Sequence, residues 1–511
     1  MRVVLISLFD GGTYGHRSVS AALQANDIEV FDIFGLWYIQ DLKDLPEIGI
    51  KNIGSLVKEI KPDLIGISVT STLGFAYARQ LSLALRHIGS APIIFGGVHC
   101  TLTPHITMVE AQADFVCIGE GEESIVDLCK NLSAGDNGEG IPGVMTKLNL
   151  TYIPRGLPQH LDTLPFQKIS DNNSYSILVN GTICPGDFKT KDKVYSTRCS
   201  RGCPFQCSFC SNFKLRSLSG PGNYFRRRSV KHVIEELIRH KKINTRCESI
   251  WFWDDTFPTE TSWVVEFAQQ YKEHIDLPFT AWFNPKAVIE ENIRLLADAG
   301  LKNAIMGIDS ASPATRNGVF LRKETDEDIS NADTIFSKMK LSKQYDFIIN
   351  HPWECSTELQ DIFKMALNFK PPFTLNMHDL IILPGTKLAE RAVKEGIIKD
   401  DADVVSTITS DAYSMSRRIQ WIKGMPLQKN FERSYWVKLI FLTESRLSRI
   451  FLFILSPGWR SKKKPIFSLW VIPTWFLFKI YIVIRKAISF TTRIRRWLVQ
   501  RSCLLNGSIK H

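Results

Sequence analysis

Four of the chain's 11 cysteines lie within residues 199–210, in Cys199-Ser-Arg-Gly-Cys203-Pro-Phe-Gln-Cys207-Ser-Phe-Cys210. The last three have the spacing C-x3-C-x2-C, close enough for one loop to wrap a cubane iron–sulfur cluster, and thiolates are the soft ligands such clusters take. Three protein ligands for four irons leave one iron open, and an open position is where a small molecule is bound and activated. An electron-carrying cluster is normally closed by a fourth cysteine. Cys199 is at hand for that role, so the spacing alone also admits a closed cluster, a zinc site or a structural knot. The loop follows the strand-like Val194–Thr197, and active-site loops of α/β barrels belong at the carboxyl ends of strands. A second chemical feature is the acidic pair Asp254 and Asp255, whose ordinary reading is capping of the next helix.

Two series of elements must position these groups. Near the N-terminus the short apolar runs Val3–Leu8, Leu64–Val69, Ile93–Phe95 and Phe115–Ile118 alternate with helical stretches, which predicts an α/β fold with a doubly wound parallel sheet. In such sheets ligands bind beyond the carboxyl ends of strands, where Asp10–Gly15, Ser68–Thr72, Gly96–Thr101 and Gly119–Glu122 fall. Glycines and prolines crowd residues 136–193, which read as a linker. A second βα series follows, with Glu248–Trp253, Phe279–Phe283, Ala304–Ile308, Phe347–Ile349 and Leu380–Leu383 as strands. Val230, Val233, Ile234, Leu237 and Ile238 give one intervening helix an apolar stripe. The series predicts a (β/α) partial or full barrel.

The segment Ser200–Ser211 resembles the signature of radical S-adenosylmethionine (SAM) enzymes, in the class that carries an N-terminal cobalamin-binding domain. The resemblance implies that Cys203, Cys207 and Cys210 hold a [4Fe–4S] cluster whose fourth iron is chelated by SAM, and that reductive cleavage yields a 5′-deoxyadenosyl radical. Cys199 lies outside the motif. Phe252-Trp-Asp254-Asp255-Thr-Phe257 is similar to the family's F-x-D-D-x-F segment beside the bound nucleoside. Met306-Gly307-Ile308-Asp309-Ser310 resembles its G-I-E-S segment with Asp309 for Glu, and Arg322 stands where a basic residue is common. Asn350 replaces the usual Gly in Ile348-Ile-Asn-His-Pro352-Trp-Glu354, and Leu383-Pro-Gly385-Thr386 matches the closing P-G-T. The likeness covers roughly residues 1–395 and implies SAM contacts at Asp254, Asp255, Asp309 and Arg322.

In the first sheet, Ser68, Thr70, Gly96, Gly97, His99, Gly119 and Gly121 resemble the contact positions of the attached cobalamin domain. Glycines at strand ends let a large ligand approach the backbone. The cobalt-ligating D-x-H-x-x-G motif is absent; Asp10-Gly-Gly-Thr-Tyr-Gly-His16 has its ingredients in other spacing. For His16 and His99 the ordinary reading is a hydrogen-bonded structural histidine. The resemblance thus implies a domain order of 1–135 cobalamin-binding-like, 136–193 linker, 194–395 radical SAM barrel, and 396–511 a helical, basic and apolar C-terminal region. It also implies the cofactors: a [4Fe–4S] cluster, SAM and cobalamin. The activity implied is methylation of an unactivated position, consuming two SAM molecules per turnover. A cobalamin-associated radical cyclase or rearranging enzyme is the enzymatic alternative, and a non-catalytic iron–sulfur binding or sensing protein the alternative of another class.

Composition bounds the rest. A chain of 511 residues with 44% hydrophobic and 23% charged residues is multidomain and not broadly disordered. The odd cysteine count and absence of a secretory h-region and cleavage pattern at the start point to a reducing, cytoplasmic setting. Much of the +11 net charge lies late, in Arg460, Lys462–Lys464, Arg485, Lys486, Arg493, Arg495 and Arg496, interleaved with the apolar Ile466–Phe478 and Ile480–Ile484. That pattern suits the anionic inner face of a membrane better than nucleic acid. A solvated basic face and a helical cap on the barrel are the plainer readings. Expected partners are a small-molecule or lipid-like substrate and an electron donor such as flavodoxin or ferredoxin, with no nucleic acid.

Overall fold

The computed structural model describes residues 1–9, 14–37, 47–218 and 223–409, and five positions between 436 and 444. It divides into two compact units, one of Met1–Glu248 with the segment that begins at Ile382, the other of Ser249–Ile381 with later residues.

The first unit is built on an eight-stranded sheet of β1 (Arg2–Phe9), β2 (Glu29–Trp37), β3 (Leu64–Ser68), β4 (Ile93–Gly96), β5 (Phe115–Cys117), β6 (Val144–Thr146), β7 (Ser174–Ile177) and β8 (Ile183–Pro185). Their order is β6-β5-β4-β3-β1-β2-β7-β8, with antiparallel pairing only at the two edges. Strand β1 is buried from Val3 onward because helices cover both faces. Val4, Ile6 and Leu8 join Ile65, Ile67 and Phe95 in one core. Val3 and Leu5 join Leu64, Ile94 and Phe115 in the other. Each fully buried aliphatic side chain contributes ~1.5–3 kcal/mol.

Strand β2 escapes a search for apolar runs because Asp32 and Gly35 interrupt it. Asp32 is fully buried and bonds to His16 Nε2 at 2.9 Å, Ser20 Oγ at 2.9 Å and Lys168 Nζ at 2.7 Å. Burial raises its carboxyl, but the bond and charge of His16, then Lys168, outweigh that and bring it down to about 2. A Cβ at Gly35 would lie 2.1 Å from the Leu8 carbonyl oxygen, so close strand packing requires glycine there. Residues 136–193, expected to be linker, instead supply β6, β7 and β8, and Arg17 Nη1 reaches Asp187 Oδ2 at 2.5 Å in a buried pair. Turn residues between three-residue and four-residue strands hid those strands.

The first unit also holds β9 (Val194–Thr197), β10 (Ser200–Arg201) and β11 (Arg226–Arg227), and the second unit holds β12 (Ser249–Phe252), β13 (Phe279–Phe283), β14 (Leu301–Asp309), β15 (Ser342–Ile349) and β16 (Thr374–Asp379). Strands β12 to β16 pair in parallel and in sequence order. Their outward side chains, among them Phe252, Phe279 and Met306, are buried under helices. The expected strand at Leu380–Leu383 is not formed; the strand is Thr374–Asp379, just before it. Only Leu375 of that strand is buried, so its signal is weak beside the apolar run that follows.

Helix Asp401–Thr409 begins the C-terminal region, and its basic and apolar stretches around residues 460–496 lie outside the described residues. Among the described residues no helix is long and apolar enough to cross a membrane.

Candidate active site

The thiol loop begins where β9 ends. Tyr195 and Thr197 of β9 are anchored by Glu236, which accepts from Tyr195 Oη at 2.5 Å and Thr197 Oγ1 at 2.8 Å and pairs with Arg228 at 2.6 Å. Glu236 lies on helix Val230–Ile243, capped by Ser229, whose side chain accepts from the His232 amide. Burial raises the Glu236 carboxyl, but Arg228 and the surrounding donors hold it below its ordinary range. Next, β10 and β11 form a two-residue ribbon, and Gly202 turns the chain at φ +78 with its Cβ position 2.4 Å from the Tyr224 carbonyl oxygen. No other residue fits there, on sterics and on backbone conformation.

Beyond that turn come Cys203, buried, and Cys207 and Cys210, half-buried, none of them in a disulfide. Arg216 Nη2 donates to the Cys203 carbonyl at 2.5 Å, and Asn212 Nδ2 donates to Cys210 Sγ at 3.5 Å. Both donors belong to helix Asn212–Leu218. The Leu388 amide donates to the Ser208 carbonyl at 2.9 Å, tying the loop to helix Lys387–Lys394, which Thr386 caps. Among the described residues no three His, Cys, Asp or Glu side chains are gathered at metal-binding range. The fit to a cluster therefore rests on the donors: three thiols on one loop, a side-chain amide on one sulfur, and the Arg216 guanidinium on the loop's own main chain. Cys199 is buried beside β10, its carbonyl accepting from the Arg228 amide at 2.9 Å.

Within the same unit the ribbon meets the strand end that follows β5. Arg201 donates to Glu120 at 2.8 Å and to Glu122 at 2.6 Å, and Arg226 pairs with Glu120 as well. Burial raises the Glu120 carboxyl, yet Arg201 and then Arg226 hold it below its usual range. Sequence reading missed Glu120, Glu122, Arg201 and Arg226 as a set; the only signal was charge beside glycine at two strand ends.

Ser68, Thr70, Gly96, Gly97, Gly119 and Gly121 lie at the carboxyl ends of the neighbouring strands β3, β4 and β5, as the sequence predicts. Thr70 and Gly119 are exposed, and a Cβ at Gly119 would meet nothing within 4 Å. This open, hydroxyl-edged rim suits a large ligand's tail. Gly97 has another reason for being glycine: at φ +106 its Cβ would lie 2.5 Å from the Val69 carbonyl oxygen. His99 is fully buried, with Nδ1 3.2 Å from Thr72 Oγ1, Nε2 3.2 Å from Thr103 Oγ1 and its ring centroid 4.3 Å from that of Phe75. Burial pushes its pKa down to about 4, so it is neutral at pH 7. Both ring nitrogens are engaged within the protein.

In the second unit Asp254 is buried and Asp255 exposed at the end of β12. Asp309 ends β14 at φ +64 and pairs with Arg322, which also donates to the Gly307 carbonyl at 2.8 Å and to Glu324 at 3.2 Å. Glu324 accepts in turn from Asn284. Burial raises the Asp309 carboxyl, with Arg322 opposing. Glu324 and Asn284 were not singled out in the sequence, since neither stands in a recognised segment. Asn350 sits at φ +58, a conformation in which asparagine is the best tolerated substitute for glycine. Its amide donates to Glu354 at 3.0 Å and its side chain to Asp379.

Two family models match the chain, the B12 binding domain over residues 2–129 and the radical SAM superfamily over residues 197–366. An uncharacterized methyltransferase of Pyrococcus horikoshii is 30% identical over 364 residues, covering 69% of this chain and 74% of that protein. Among solved structures, the cobalamin-dependent SAM radical enzyme OxsB with aqua-cobalamin bound shares the fold with a TM-score of 0.64 at 16% identity, covering 96% of this chain and 81% of the other. The radical SAM methyltransferase TsrM of Kitasatospora setae, with cobalamin and a [4Fe–4S] cluster bound, has a TM-score of 0.59 at 18% identity, covering 77% and 78%. The chain therefore belongs to the radical SAM enzymes that carry a B12-binding domain, and its cofactors are a [4Fe–4S] cluster, SAM and cobalamin.

Proposed function

We propose that this enzyme is a cobalamin-dependent methyltransferase acting at an unactivated position of a small molecule. The observation that carries this reading is the junction of Arg201 and Arg226 with Glu120 and Glu122, which ties the thiol loop to the rim of the B12-binding sheet within one compact unit. The methyltransferase name of the Pyrococcus relative supports it. Cys203, Cys207 and Cys210 hold the cluster. Asp254, Asp255, Asp309 and Arg322 serve SAM. Ser68, Thr70, Gly96, Gly97, Gly119 and Gly121 form the cobalamin rim, with His99 supporting it from beneath. Residues 1–135 make up the cobalamin domain, whose sheet β6, β7 and β8 from residues 136–193 complete, with 194–395 the barrel and 396–511 the C-terminal region.

When bound, these cofactors supply the radical initiator and the methyl group. The chain's own work is orientation. Arg216 and Asn212 fix the loop through the Cys203 carbonyl and the Cys210 sulfur, and Arg322 fixes Asp309 against Glu324. A flavodoxin or ferredoxin serves as electron donor. The basic and apolar C-terminal pattern supports a lipid-like or membrane-presented substrate and peripheral contact with the inner face of the membrane. Liposome flotation of the full chain against a 1–400 truncation tests that contact, and equal flotation refutes it.

The test of function is anaerobic reconstitution with SAM in the absence of substrate. Cluster-dependent deoxyadenosine and cobalamin-dependent S-adenosylhomocysteine are both expected. Deoxyadenosine without any cobalamin-dependent S-adenosylhomocysteine removes the methyltransferase reading.

A further inference from the structure

The carboxyl ends of β14 and β15 are built alike. Asp309 closes β14 at φ +64 and Asn350 follows β15 at φ +58, and each is followed by a buried polar residue, Ser310 and His351. Left-handed backbone at a residue other than glycine is costly and persists only where the surroundings over-determine it. Both strand ends lead to one side chain, that of Glu358, the first residue of helix Glu358–Asn368. It is fully buried. One of its oxygens accepts from Ser310 Oγ at 2.5 Å; the other accepts from Thr315 Oγ1 at 3.0 Å and lies 3.5 Å from His351 Nε2.

Burial raises the Glu358 carboxyl, but the His351 ring, Ser310 and Thr315 hold it below its ordinary range, so it is an anion at neutral pH. Taking a carboxylate out of water is unfavourable unless hydrogen bonds offset the loss, and here two hydroxyls and a histidine do so. Ser310 is held on three sides. Its amide donates to the Ile308 carbonyl at 2.8 Å, its carbonyl accepts from Arg316 Nη1 at 3.0 Å, and its hydroxyl donates to Glu358. Arg316 is itself buried, and its Nε donates to the Glu324 carbonyl at 2.8 Å. One guanidinium therefore grips both the residue after Asp309 and the residue whose carboxylate meets Arg322. With its successor fixed at amide, carbonyl and hydroxyl, Asp309 cannot leave the left-handed region without breaking one of those bonds.

We propose that Glu358 is a positioning residue for SAM: through Ser310 it holds Asp309 in the conformation that presents its carboxylate to Arg322. Being fully buried, it acts only through its neighbours. The proposal rests on the reading that Asp309 and Arg322 serve SAM, and it adds to that site a residue 49 positions beyond Asp309 in the sequence.

The experiment is equilibrium dialysis of radiolabelled SAM against the full-length, anaerobically reconstituted protein, with iron content and melting temperature measured on each variant. Glu358→Ala and Ser310→Ala are each expected to weaken SAM binding about tenfold with iron unchanged, the scale of one hydrogen bond to a charged group. The double variant is expected to lose about tenfold as well, because hydroxyl and carboxylate form a single path. Glu358→Gln recovers part of the loss, since its amide oxygen still accepts from Ser310. Asp333→Asn is the control: Asp333 is a buried carboxylate of the same unit that accepts from Lys343 Nζ and Tyr345 Oη, each at 2.6 Å, and its loss lowers the melting temperature without changing SAM affinity. Full affinity in Glu358→Ala, losses that multiply to about a hundredfold in the double variant, or an equal loss in Asp333→Asn overturns the proposal. Should Glu358→Ala fail to fold, Ser310→Ala decides, and full affinity there overturns it equally. Asp309→Ala separates the two levels. Wild-type affinity in that variant removes the SAM assignment and the proposal with it, whereas weakened binding there beside full affinity in Glu358→Ala removes the proposal alone.

Discussion

At the residue scale the thiols and their neighbours make separable predictions. Alanine at Cys203, Cys207 and Cys210 together is expected to abolish bound iron after anaerobic reconstitution. Alanine at Cys199 leaves it, because Cys199 precedes the ribbon and the Gly202 turn and lies outside the C-x3-C-x2-C spacing; iron quantified on both proteins decides. Gly202→Ala must force a Cβ to within 2.4 Å of the Tyr224 carbonyl oxygen at φ +78, which costs on the order of 1–3 kcal/mol and is read as a lower melting temperature with reduced iron. His99 carries a pH signature. Its folded pKa is depressed from 6.5 to about 4 by burial, so the unfolded chain takes up a proton that the folded one refuses. That contribution to stability is complete above about pH 6.5 and is lost progressively toward pH 4, a swing of ~3 kcal/mol. His99→Gln is expected to flatten the acid limb by about one proton in that window, measured as the pH dependence of unfolding free energy. An unchanged slope would show that His99 is not buried and neutral.

At the element scale the junction between ribbon and sheet rim is the feature with most consequence. Arg226 and Glu122 are nearly buried, at 3% and 6% side-chain exposure. Removing one member of a buried pair strands the other's charge, typically at ~3–5 kcal/mol; partial exposure of Glu120 at 22% lowers that for Glu120→Gln to roughly 1–2 kcal/mol. The expected outcome is faster alkylation of the thiols in the apo protein, because the ribbon that sets up the Cys203 turn is loosened. Unchanged alkylation kinetics in Glu120→Gln would make the junction incidental. These elements were unequally legible in the sequence. Strands β1, β3, β4 and β5 announce themselves because both faces are apolar. Strand β2 does not, since its centre is Asp32, satisfied by His16, Ser20 and Lys168 from distant positions. Strand β16 is masked by the four apolar residues Leu380–Leu383 that follow it, because only Leu375 of the strand itself is buried. Thiol spacing is local and so is readable; the Arg201–Glu120 and Arg322–Asp309 pairings join residues 81 and 13 positions apart, and no period or spacing encodes them.

At the scale of the whole molecule, labour is divided within one chain. Helix-covered sheets supply rigidity, and the reactive groups sit on loops at carboxyl ends of strands, where main-chain groups are free to be used. The departures from the family's usual residues are accommodated: Asp309 has a cationic partner in Arg322, and Asn350 holds a left-handed backbone of the kind glycine favours. The central claim is that three thiolates leave one iron open to SAM. Electron paramagnetic resonance of the dithionite-reduced, reconstituted protein tests it most directly. The expected result is a four-iron signal that changes shape when SAM is added and is absent from the triple alanine variant. A four-iron signal indifferent to SAM, or one surviving in that variant, would contradict it.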